Sequence, residues 1–433
     1  MLLRVARTQS STLTQLHTAG NTMLLRVARP ISRRALATRR VVLQRPAEAG
    51  SAYERFEHND STWSATKHNE SQPWKRPLAP FLPAGYPQAV KDGYGTYALL
   101  QFAGFACSSA GGVLSTRVLL TAVGVGDASA APLAAAANWA VKDGLGMLGG
   151  VAFASIWSGA LDARPRRWRL RSSVALDAAA LVELAALPAF PQYFVPIAGL
   201  ANVAKNISYL AASASRAAIH RALSNRQGAA NLGDLTAKSG SQTIVASLVG
   251  LGLGVGVSNA CGGDVTTVWP AWAALSATHL TCTWLSLRYV ADVELDPPRL
   301  AALVDAFLET GTCPTPAETS SAESLLVGGG DPSWLSVGDR VDAFPSDAFA
   351  CEAKYVLHAE QDVARLLLYD DAAPRDALEA AVHAKGALGA SVDPGAAEAF
   401  AAAVADAGWR VDELPVAFDR GRLLREAPEV KEE

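Results

Sequence analysis

Five stretches of about 20 residues each carry no charged side chain, a length close to that of a bilayer-spanning helix. They cover residues 94–116, 144–161, 184–204, 239–263 and 265–287. Each is rich in glycine, alanine and serine, so the free energy gained on membrane insertion is small for its length. The pattern predicts a mainly α-helical, membrane-associated domain over residues 81–300, long enough to span a bilayer but only weakly hydrophobic.

The last two stretches predict a helical hairpin, because a short turn at residues 261–264 separates them. Lys238 precedes the first helix and Arg288 follows the second, whereas Asp264 lies in the turn. Positive charge at one end of a helix pair is typical of a membrane hairpin. A hairpin buried inside a soluble domain is the alternative that this pattern leaves open.

Glycines and prolines add detail to two of the stretches. Four glycines form two overlapping GxxxG spacings, which predict close packing of the first hairpin helix on another helix. They are Gly250, Gly252, Gly254 and Gly256. Three prolines interrupt residues 184–204 and predict a kinked or re-entrant element, because each removes a backbone donor. They are Pro188, Pro191 and Pro196.

Segments with weaker periodicity flank this domain. Residues 46–80 are polar, with scattered aromatics and prolines, and predict a linker or extended arm. Residues 301–350 are rich in glycine, proline, threonine and serine and predict a second linker. Residues 351–433 predict a small α+β module, in which two short strands flank a turn at 360–362 and two amphipathic helices follow.

Charge separates the start of the chain from the rest. The first 50 residues contain nine arginines and one acidic residue, whereas the whole chain carries a net charge of −3. An arginine-rich, acid-poor start is typical of a mitochondrial or plastid transit peptide, which we predict over residues 1–45. The acidic remainder disfavours a nucleic-acid partner. Charged residues make up only 18% of the chain, which favours an organelle membrane, in either the mitochondrion or the plastid.

The sequence contains no recognisable catalytic or metal-binding motif. Its five cysteines lie at least 21 residues apart, a spacing that fits neither CxxC metal ligation nor a disulfide framework. His220 and His279 lie in separate helical stretches with no second ligand in helical register. A G-x-S-x-G elbow, a Walker loop and an HExxH motif are also missing from the sequence. We therefore predict neither a catalytic residue nor a bound metal, and the cofactor is left unknown.

Two glycine motifs have structural explanations. Residues 144–149 match GxGxxG, but a helical stretch precedes them where a dinucleotide-binding motif needs a strand. Close helix packing explains these glycines better. Gly124 and Gly126 precede Asp127 and predict a tight turn, in which the side chain of Asp127 or Ser129 caps the next helix.

Several ionisable residues are interspersed among the apolar stretches. Such residues at membrane depth tend to pair or to face water, which makes them functional candidates. One hypothesis is therefore that they line a polar cavity. They are Asp127, Lys142, Asp143, Asp177, Glu183, Lys205 and Arg216.

Ordered sequence blocks between residues 81 and 300 carry a family resemblance. In chain order they are FLPAGYP, GGVLSTRVLL, VGVGDASA, NWAVKDGLGMLGG, LD, WRLRS, FP, ANVAKNI, SRAA and LTAKSGSQ. This order resembles the root UV-B sensitive family. Three blocks depart from its pattern: Gly111 stands where the family usually has arginine, residues 213–215 replace a glycine pair and threonine, and Ser239 replaces aspartate.

The resemblance implies a eukaryotic, often organellar and membrane-associated protein, linked in plants to UV-B response, early development and vitamin B6 homeostasis. It implies no catalytic residue, and it makes a paralogue of the same family the expected protein partner. Matched positions are expected to matter for the fold or for partner binding. They are Gly124, Gly126, Asp127, Lys142, Asp143, Gly144, Asn202, Lys205, Arg216, Lys238, Ser241 and Gln242.

Two functions from different classes follow. The first is a non-enzymatic membrane protein that acts through protein partners or through passage of a small solute, with the C-terminal module as a docking element. The second is a soluble or peripheral protein that binds a cofactor of the pyridoxal phosphate type. Lys205 or Lys142 would then form an imine, since a desolvated lysine loses its proton readily. No glycine-rich phosphate cup accompanies these lysines in the sequence.

The membrane hypothesis predicts that alkaline carbonate leaves the full-length protein in the membrane pellet. Segments that cross the bilayer stay in it after the polar contacts of peripheral proteins are broken. Immunoblots of pellet and supernatant measure the outcome, with one integral and one peripheral protein of the same membrane as controls. Clean extraction into the supernatant would contradict the hypothesis.

Overall fold

The computed structural model places a long helical bundle ahead of a small mixed module. It describes residues 15–19, 22–26, 40–43, 52–59, 62–69, 78–124, 132–161, 164–224, 231–262, 265–325, 333–350, 353–413 and 423. The mainly α fold with a small C-terminal α+β part is the one predicted from the sequence, and this prediction is confirmed. The turn residues Gly126 and Asp127 lie outside the described part.

The unit that contains residues 1–86 is built from short antiparallel strands. Strands β1 (Gln15–Ala19) and β2 (Thr22–Arg26) pair with each other, and β3 (Arg40–Leu43), β4 (Ala52–Asn59) and β5 (Thr62–Asn69) form a meander. Strands β4 and β5 occupy residues that we predicted to be a linker or extended arm. Their runs are rich in aromatic residues and threonine, which favour strands, but they are too short to give a sustained period.

Six long helices follow. They are α1 (Tyr94–Ala122), α2 (Pro132–Leu161), α3 (Pro165–Ala189), α4 (Phe194–Leu223), α5 (Leu232–Ala260) and α6 (Val265–Leu287). The proline-interrupted stretch 184–204 is the junction of α3 and α4, where a 3₁₀ turn at Pro191–Tyr193 joins them. Pro188 falls in the last turn of α3 and Pro196 in the first turn of α4, so the predicted kink is a break between two helices.

Helix α1 is the centre of the bundle. It packs along α3, α5 and α6, while α4 packs on both α2 and α3. The Arg117 guanidinium near the end of α1 donates to the carbonyl oxygen of Ser258, 2.8 Å away near the end of α5, so these helices run parallel. Gly104 and Gly111 of α1 face His279 and Trp272 of α6 in the reverse order, so that pair is antiparallel. Successive helices alternate in direction through the bundle.

The predicted hairpin of residues 239–287 is present as the consecutive helices α5 and α6, but the two helices pack on α1 rather than on each other. Gly250 and Gly254 make this possible on the α5 side. A methyl group at Gly250 would lie 2.3 Å from the carbonyl oxygen of Ala106, and one at Gly254 would lie 2.8 Å from that of Ala110. The other pair, Gly252 and Gly256, meets no atom within 4 Å. Only one of the two GxxxG spacings therefore serves packing inside this chain.

The C-terminal module starts earlier than we predicted. The segment 301–350 that the sequence analysis assigned to a linker contains most of helix α7 (Pro297–Thr310), helix α8 (Pro316–Ala322) and strand β6 (Leu335–Val337). Leu303 and Val304 of α7 are fully buried in one core with Leu366 and Phe400. Because the helix is amphipathic and only 14 residues long, the glycine- and proline-rich surroundings obscured it.

The rest of the module follows the sequence pattern. Strands β7 (Tyr355–Glu360) and β8 (Val363–Leu368) form a hairpin around Gln361, which has a positive φ of 54°, and β6 pairs parallel with β8. Helix α9 (Pro374–Ala387) covers the sheet, and helix α10 (Ala396–Asp406) packs on α9 and α7.

The outer surface of the bundle is apolar. Leu148 and Val151 of α2 are 69% and 67% exposed, and Ile244 and Leu248 of α5 are 64% and 62% exposed. Helices α1, α3 and α5 are long and apolar enough to cross a membrane, judged by length and composition. Our prediction singled out the hairpin as the membrane element. Of its two helices, only α5 is among these three, since histidine, proline and threonines lower the hydropathy of α6.

The two glycine pairs of α5 predict different effects of the same substitution, a loss of stability at Gly254 and almost no change at Gly256. Gly254→Leu should lower the unfolding midpoint of the detergent-purified protein, because overpacking against a backbone typically costs about 1–3 kcal/mol. Gly256→Leu should leave the midpoint nearly unchanged, with a change in the free energy of unfolding of at most about 0.5 kcal/mol, because the leucine side chain enters open space. Thermal unfolding measured by size-exclusion chromatography compares the two. Equal midpoints would contradict the packing described here.

Candidate functional site

Ionisable side chains are concentrated inside the helical bundle. Each is less than 9% exposed, although burial of an unpaired charge is strongly unfavourable. The group is Lys142, Arg166, Arg167, Arg169, Asp177, Glu183, His220 and His279. The bundle thus buries ionisable groups beside its apolar core clusters, while large apolar side chains are also exposed on its outer surface.

An ion pair between α3 and α4 lies at the centre of this interior. The Lys205 ammonium donates to the carboxylate of Glu183, and the hydroxyl of Ser115 on α1 donates to the same carboxylate oxygen. The Glu183 side chain is 1% exposed and that of Lys205 is 16% exposed. One carboxylate therefore connects three helices, and it keeps the lysine ammonium occupied.

A second pair lies two turns earlier on α3. Asp177 accepts from Ser276 at 2.6 Å and contacts Nδ1 of His279 at 3.0 Å, both on α6. Asp177 and Lys205 line the same cavity of about 50 Å³, together with Tyr209 and Trp272. This volume holds a few water molecules, and it is far below the about 300 Å³ at which ligand pockets begin.

A third polar group joins α2 to α4. The Lys142 ammonium lies 2.5 Å from Asp143 and 4.5 Å from the centre of the Trp139 ring. The amide of Asn202 donates to the Lys142 carbonyl at 3.1 Å and to the Asp143 carboxylate at 3.3 Å. Lys142 is thus satisfied locally and does not reach the Lys205 cavity.

Arginines occupy the opposite end of the interior. Arg169 donates to the amide oxygen of Gln101 at 3.0 Å, and Gln101 donates to Ser286 at 2.7 Å. The guanidiniums of Arg169 and Arg216 both lie over the ring of Phe105, with 5.0 Å and 5.6 Å to its centre. Cation–π contacts of this kind stabilise a cation that has lost water.

Where the bundle meets the C-terminal module, Arg299 holds two carboxylates. Its guanidinium lies 2.8 Å from Asp292 and 2.5 Å and 2.8 Å from the two oxygens of Glu323. Burial lowers the pKa of Arg299, but the hydrogen bonds to Glu323 and the charge of Asp292 more than offset this and raise it. Burial likewise works to raise the pKa of Glu323, and Arg299 brings it below its ordinary value. These ion pairs fix the segment that follows α6.

The structure brings together some of the residues singled out from the sequence and separates others. Asp177 and Lys205 line one cavity, and Glu183 pairs with Lys205 beside it, whereas Lys142 with Asp143 and Arg216 with Gln242 lie in two other places. The residues of Gly144–Gly149 are helical, so the dinucleotide motif is ruled out by its context. Gly146 and Gly149 lie against Asn202 and Val203, as helix packing requires, while Gly144 faces open space.

The remaining candidates have local roles. Gly124 ends α1 with φ 90°, a conformation that favours glycine. Gln242 donates to the Tyr94 hydroxyl at 3.4 Å, and the Ser241 hydroxyl donates to the Ala237 carbonyl within the same helix. Lys238 lies half-buried one turn from Gln242.

Sequence reasoning missed the partners of these residues. Ser115, Gln101 and Ser276 were not singled out, although each completes a buried polar contact. Arg169 also escaped notice as a site residue. The signal for it was the run of arginines in the first turns of α3, directly before an apolar stretch.

The known proteins that this chain resembles point to one family. The family model described as "Vitamin B6 photo-protection and homoeostasis domain" matches residues 67–311. Protein root UVB sensitive 3 of Arabidopsis thaliana is 28% identical over 72% of this chain and 74% of its own length. RUS family member 1 of Dictyostelium discoideum and the chloroplastic Protein root UVB sensitive 2 of Arabidopsis thaliana are each 30% identical.

The match to these last two proteins covers 57% and 58% of this chain and 47% and 56% of theirs, so the chain spans about half of their length. No solved structure matches this chain.

The buried ion pair generates a stability prediction. Lys205→Met should destabilise the bundle by about 3–5 kcal/mol, because it leaves the Glu183 carboxylate buried without its counter-charge. The double change Glu183→Met with Lys205→Met should recover most of that loss, since an apolar pair of similar volume needs no partner. Thermal unfolding in detergent measures both. A double variant less stable than the single one would contradict this account.

Proposed function

The chain belongs to the vitamin B6 photo-protection and homoeostasis family, and from that premise we propose that it is a non-enzymatic membrane protein through whose helical bundle a small polar solute of vitamin B6 homeostasis passes. The solute would follow the buried polar groups along α3. The C-terminal module would remain outside the membrane as a docking element for a protein partner, for which a paralogue of the family is the proposed candidate.

The observation that carries this proposal is that buried ionisable groups inside the bundle occur together with large apolar side chains on its outer surface. Large apolar side chains cover its outer surface, while ionisable groups pair in its interior. In water such a surface would be a strong aggregation risk, whereas in a bilayer the apolar side chains face lipid. Charged residues at membrane depth are rare, and those that occur tend to mark solute or proton pathways.

Charge at the two ends of the bundle supports an orientation. The connections 123–131, 190–193 and 261–264, all at one end, contain no lysine or arginine. The other end carries Lys91, Arg164, Arg166, Arg167, Arg221, Lys238 and Arg288. Positively charged ends remain on the side from which a membrane protein is inserted. The C-terminal module follows the positive end and would therefore face the matrix, the stroma or the cytosol.

The route itself would involve the two central pairs. Glu183 with Lys205, and Asp177 with His279, lie nearly two turns apart along the buried part of α3. Carboxylate and histidine chains of this type carry protons in transporters. The 50 Å³ cavity between them is too small for a vitamin, so passage requires α3 and α4 to move relative to α1 and α6.

A second candidate is binding of pyridoxal phosphate as an imine on Lys205 or Lys142, which the description of the family favours. The geometry argues against it in this conformation. Lys205 is held by Glu183, Lys142 is held by Asp143, and the cavity next to Lys205 has no room for the cofactor.

The transit peptide and the organelle membrane stay part of the proposal, in either the mitochondrion or the plastid.

Solute uptake by proteoliposomes that contain the protein in one defined orientation tests the transport proposal. Vesicles that contain the purified full-length protein should take up radiolabelled pyridoxine faster than protein-free vesicles. Asp177→Asn should lower the initial rate at least about tenfold, the effect of about 1.4 kcal/mol on a barrier. The amide keeps the size of the carboxylate and can still hydrogen-bond, so the change removes charge rather than packing.

Arg375→Gln supplies the matched control. It breaks an ion pair with Glu398 on the exposed surface of the C-terminal module, and it should leave the rate unchanged, since exposed pairs contribute little. Uptake equal to that of empty vesicles would overturn the transport proposal. So would a variant at Asp177 that transports as fast as the control.

A further inference from the structure

A cavity of about 680 Å³ lies at the positive end of the bundle, outside the polar interior described above. The end of α6, the segment that follows it and helix α8 with residues 323–325 surround this cavity. Its volume falls within the range of about 300–1,000 Å³ that is typical of metabolite and cofactor sites. We call it the Trp284 pocket after the aromatic residue in its wall.

One wall of the pocket is aromatic and cationic. The Arg288 guanidinium lies 4.0 Å from the centre of the Trp284 ring, and Tyr289 next to it is 45% exposed. Gly93 fixes the position of the Tyr289 ring, since a methyl group at Gly93 would lie 2.7 Å from its Cδ1 atom. Within the described part of the chain, Arg288 forms no salt bridge. Its charge is thus available to a ligand.

The opposite wall supplies hydroxyl groups. Ser320 is buried, and its oxygen accepts the backbone N–H of Asp292 at 3.0 Å, so the hydroxyl proton can be donated elsewhere. Ser321 lines the pocket beside it. Below them, Arg166 is held by the carbonyl oxygens of Leu287 at 3.1 Å and Ser320 at 2.8 Å, and it adds a buried positive charge. Arginines with serine hydroxyls are the donors that phosphate groups prefer.

Two carboxylates also line the pocket, and they differ in availability. Glu323 is engaged by both of its oxygens with Arg299. Asp92 forms no salt bridge within the described residues and is exposed to the pocket. A ligand that fits all of these groups has a phosphate for Arg288 and the serines, a flat ring for Trp284, and a proton-bearing nitrogen or hydroxyl for Asp92.

We propose that the Trp284 pocket binds a small aromatic phosphate ester. The class of ligand follows from the pocket, and the choice of a vitamin B6 phosphate as the probe rests on the proposed function. The pocket needs no lysine imine and no opening of the bundle. Binding here is therefore independent of the transport route through Asp177 and Lys205.

Isothermal titration calorimetry on the detergent-purified full-length protein tests the proposal with pyridoxine 5′-phosphate. This probe carries no aldehyde, so it cannot form an imine with surface lysines. Binding should weaken about 10- to 100-fold in Arg288→Gln, the loss expected for a hydrogen-bonded charge. It should weaken about 3- to 30-fold in Trp284→Leu, from the lost ring and cation contacts.

Two controls match these variants. Arg221→Gln removes an equal charge from a 41% exposed side chain at the same end of the bundle, and Trp157→Leu removes a 45% exposed indole from α2. Both should bind the probe like the unchanged protein. Arg288 is exposed, so its substitution is expected to leave the unfolding midpoint in place, which a parallel melting curve verifies.

Ligand analogues measure the separate contributions of the ring and of the phosphate to binding. A lipid competitor tests whether the phosphate group belongs to a lipid headgroup. Pyridoxine and inorganic phosphate should each bind at least tenfold more weakly than pyridoxine 5′-phosphate. No binding of the probe, or equal binding by the Arg288 and Trp284 variants, would overturn the proposal. Equal competition by vesicles containing phosphatidic acid would also overturn it, because the pocket would then be a lipid headgroup site. None of these results depends on uptake by proteoliposomes, so failure of one proposal leaves the other testable.

Discussion

The bundle depends on keeping charge inside an apolar set of helices, and the Glu183 carboxylate is where this constraint is met. An isolated carboxylate at this depth would be very unfavourable. Lys205 on α4 neutralises it and Ser115 on α1 donates a further hydrogen bond, so three helices share one anion. Moving any of the three helices would break a contact of that anion. The ion pair therefore specifies how α1, α3 and α4 are arranged, in addition to any effect on stability.

Close backbone approach makes this arrangement possible. Gly250 and Gly254 bring α5 against the backbone of α1, and Gly146 and Gly149 bring α2 against α4. Small residues of this kind allow helices to pack without a large hydrophobic gain between them, as membrane helices do. The large apolar side chains are left for the outer surface, where Leu148 and Ile244 are exposed. Polar pairs lie inside the bundle, small residues lie between its helices, and large apolar residues lie on its outer surface.

The C-terminal module and the Trp284 pocket depend on a different set of charges. Arg299 draws Asp292 and Glu323 together, and this closes the segment after α6 over the end of the bundle. The pocket lies beside that closure, so its walls come from parts of the chain that are remote in sequence. A site of this kind can recognise a ligand without any opening of the helical bundle.

Much of the architecture was determined by the sequence alone. Uncharged stretches located α1, α5, α6 and the second half of α2, and the strands around Gln361 came within a few residues, because these features depend on neighbours along the chain. Most of α3 was not located, because its arginines and carboxylates interrupt the uncharged pattern. The family resemblance likewise rested on ordered blocks. The helix Pro297–Thr310 was missed, because its amphipathic face is recognisable only beside the sheet that covers it.

Only the tertiary structure decided which charges meet. Nothing in the sequence distinguishes Lys205, which pairs with Glu183 across two helices, from Lys142, which pairs with its neighbour Asp143. The same holds for the glycines of α5, of which Gly250 and Gly254 pack while Gly252 and Gly256 do not. The rotation of each helix about its axis sets these contacts, and that rotation follows from the packing of all six helices together. Local sequence identifies most of the long helical segments, but it does not determine the face that each helix turns inward.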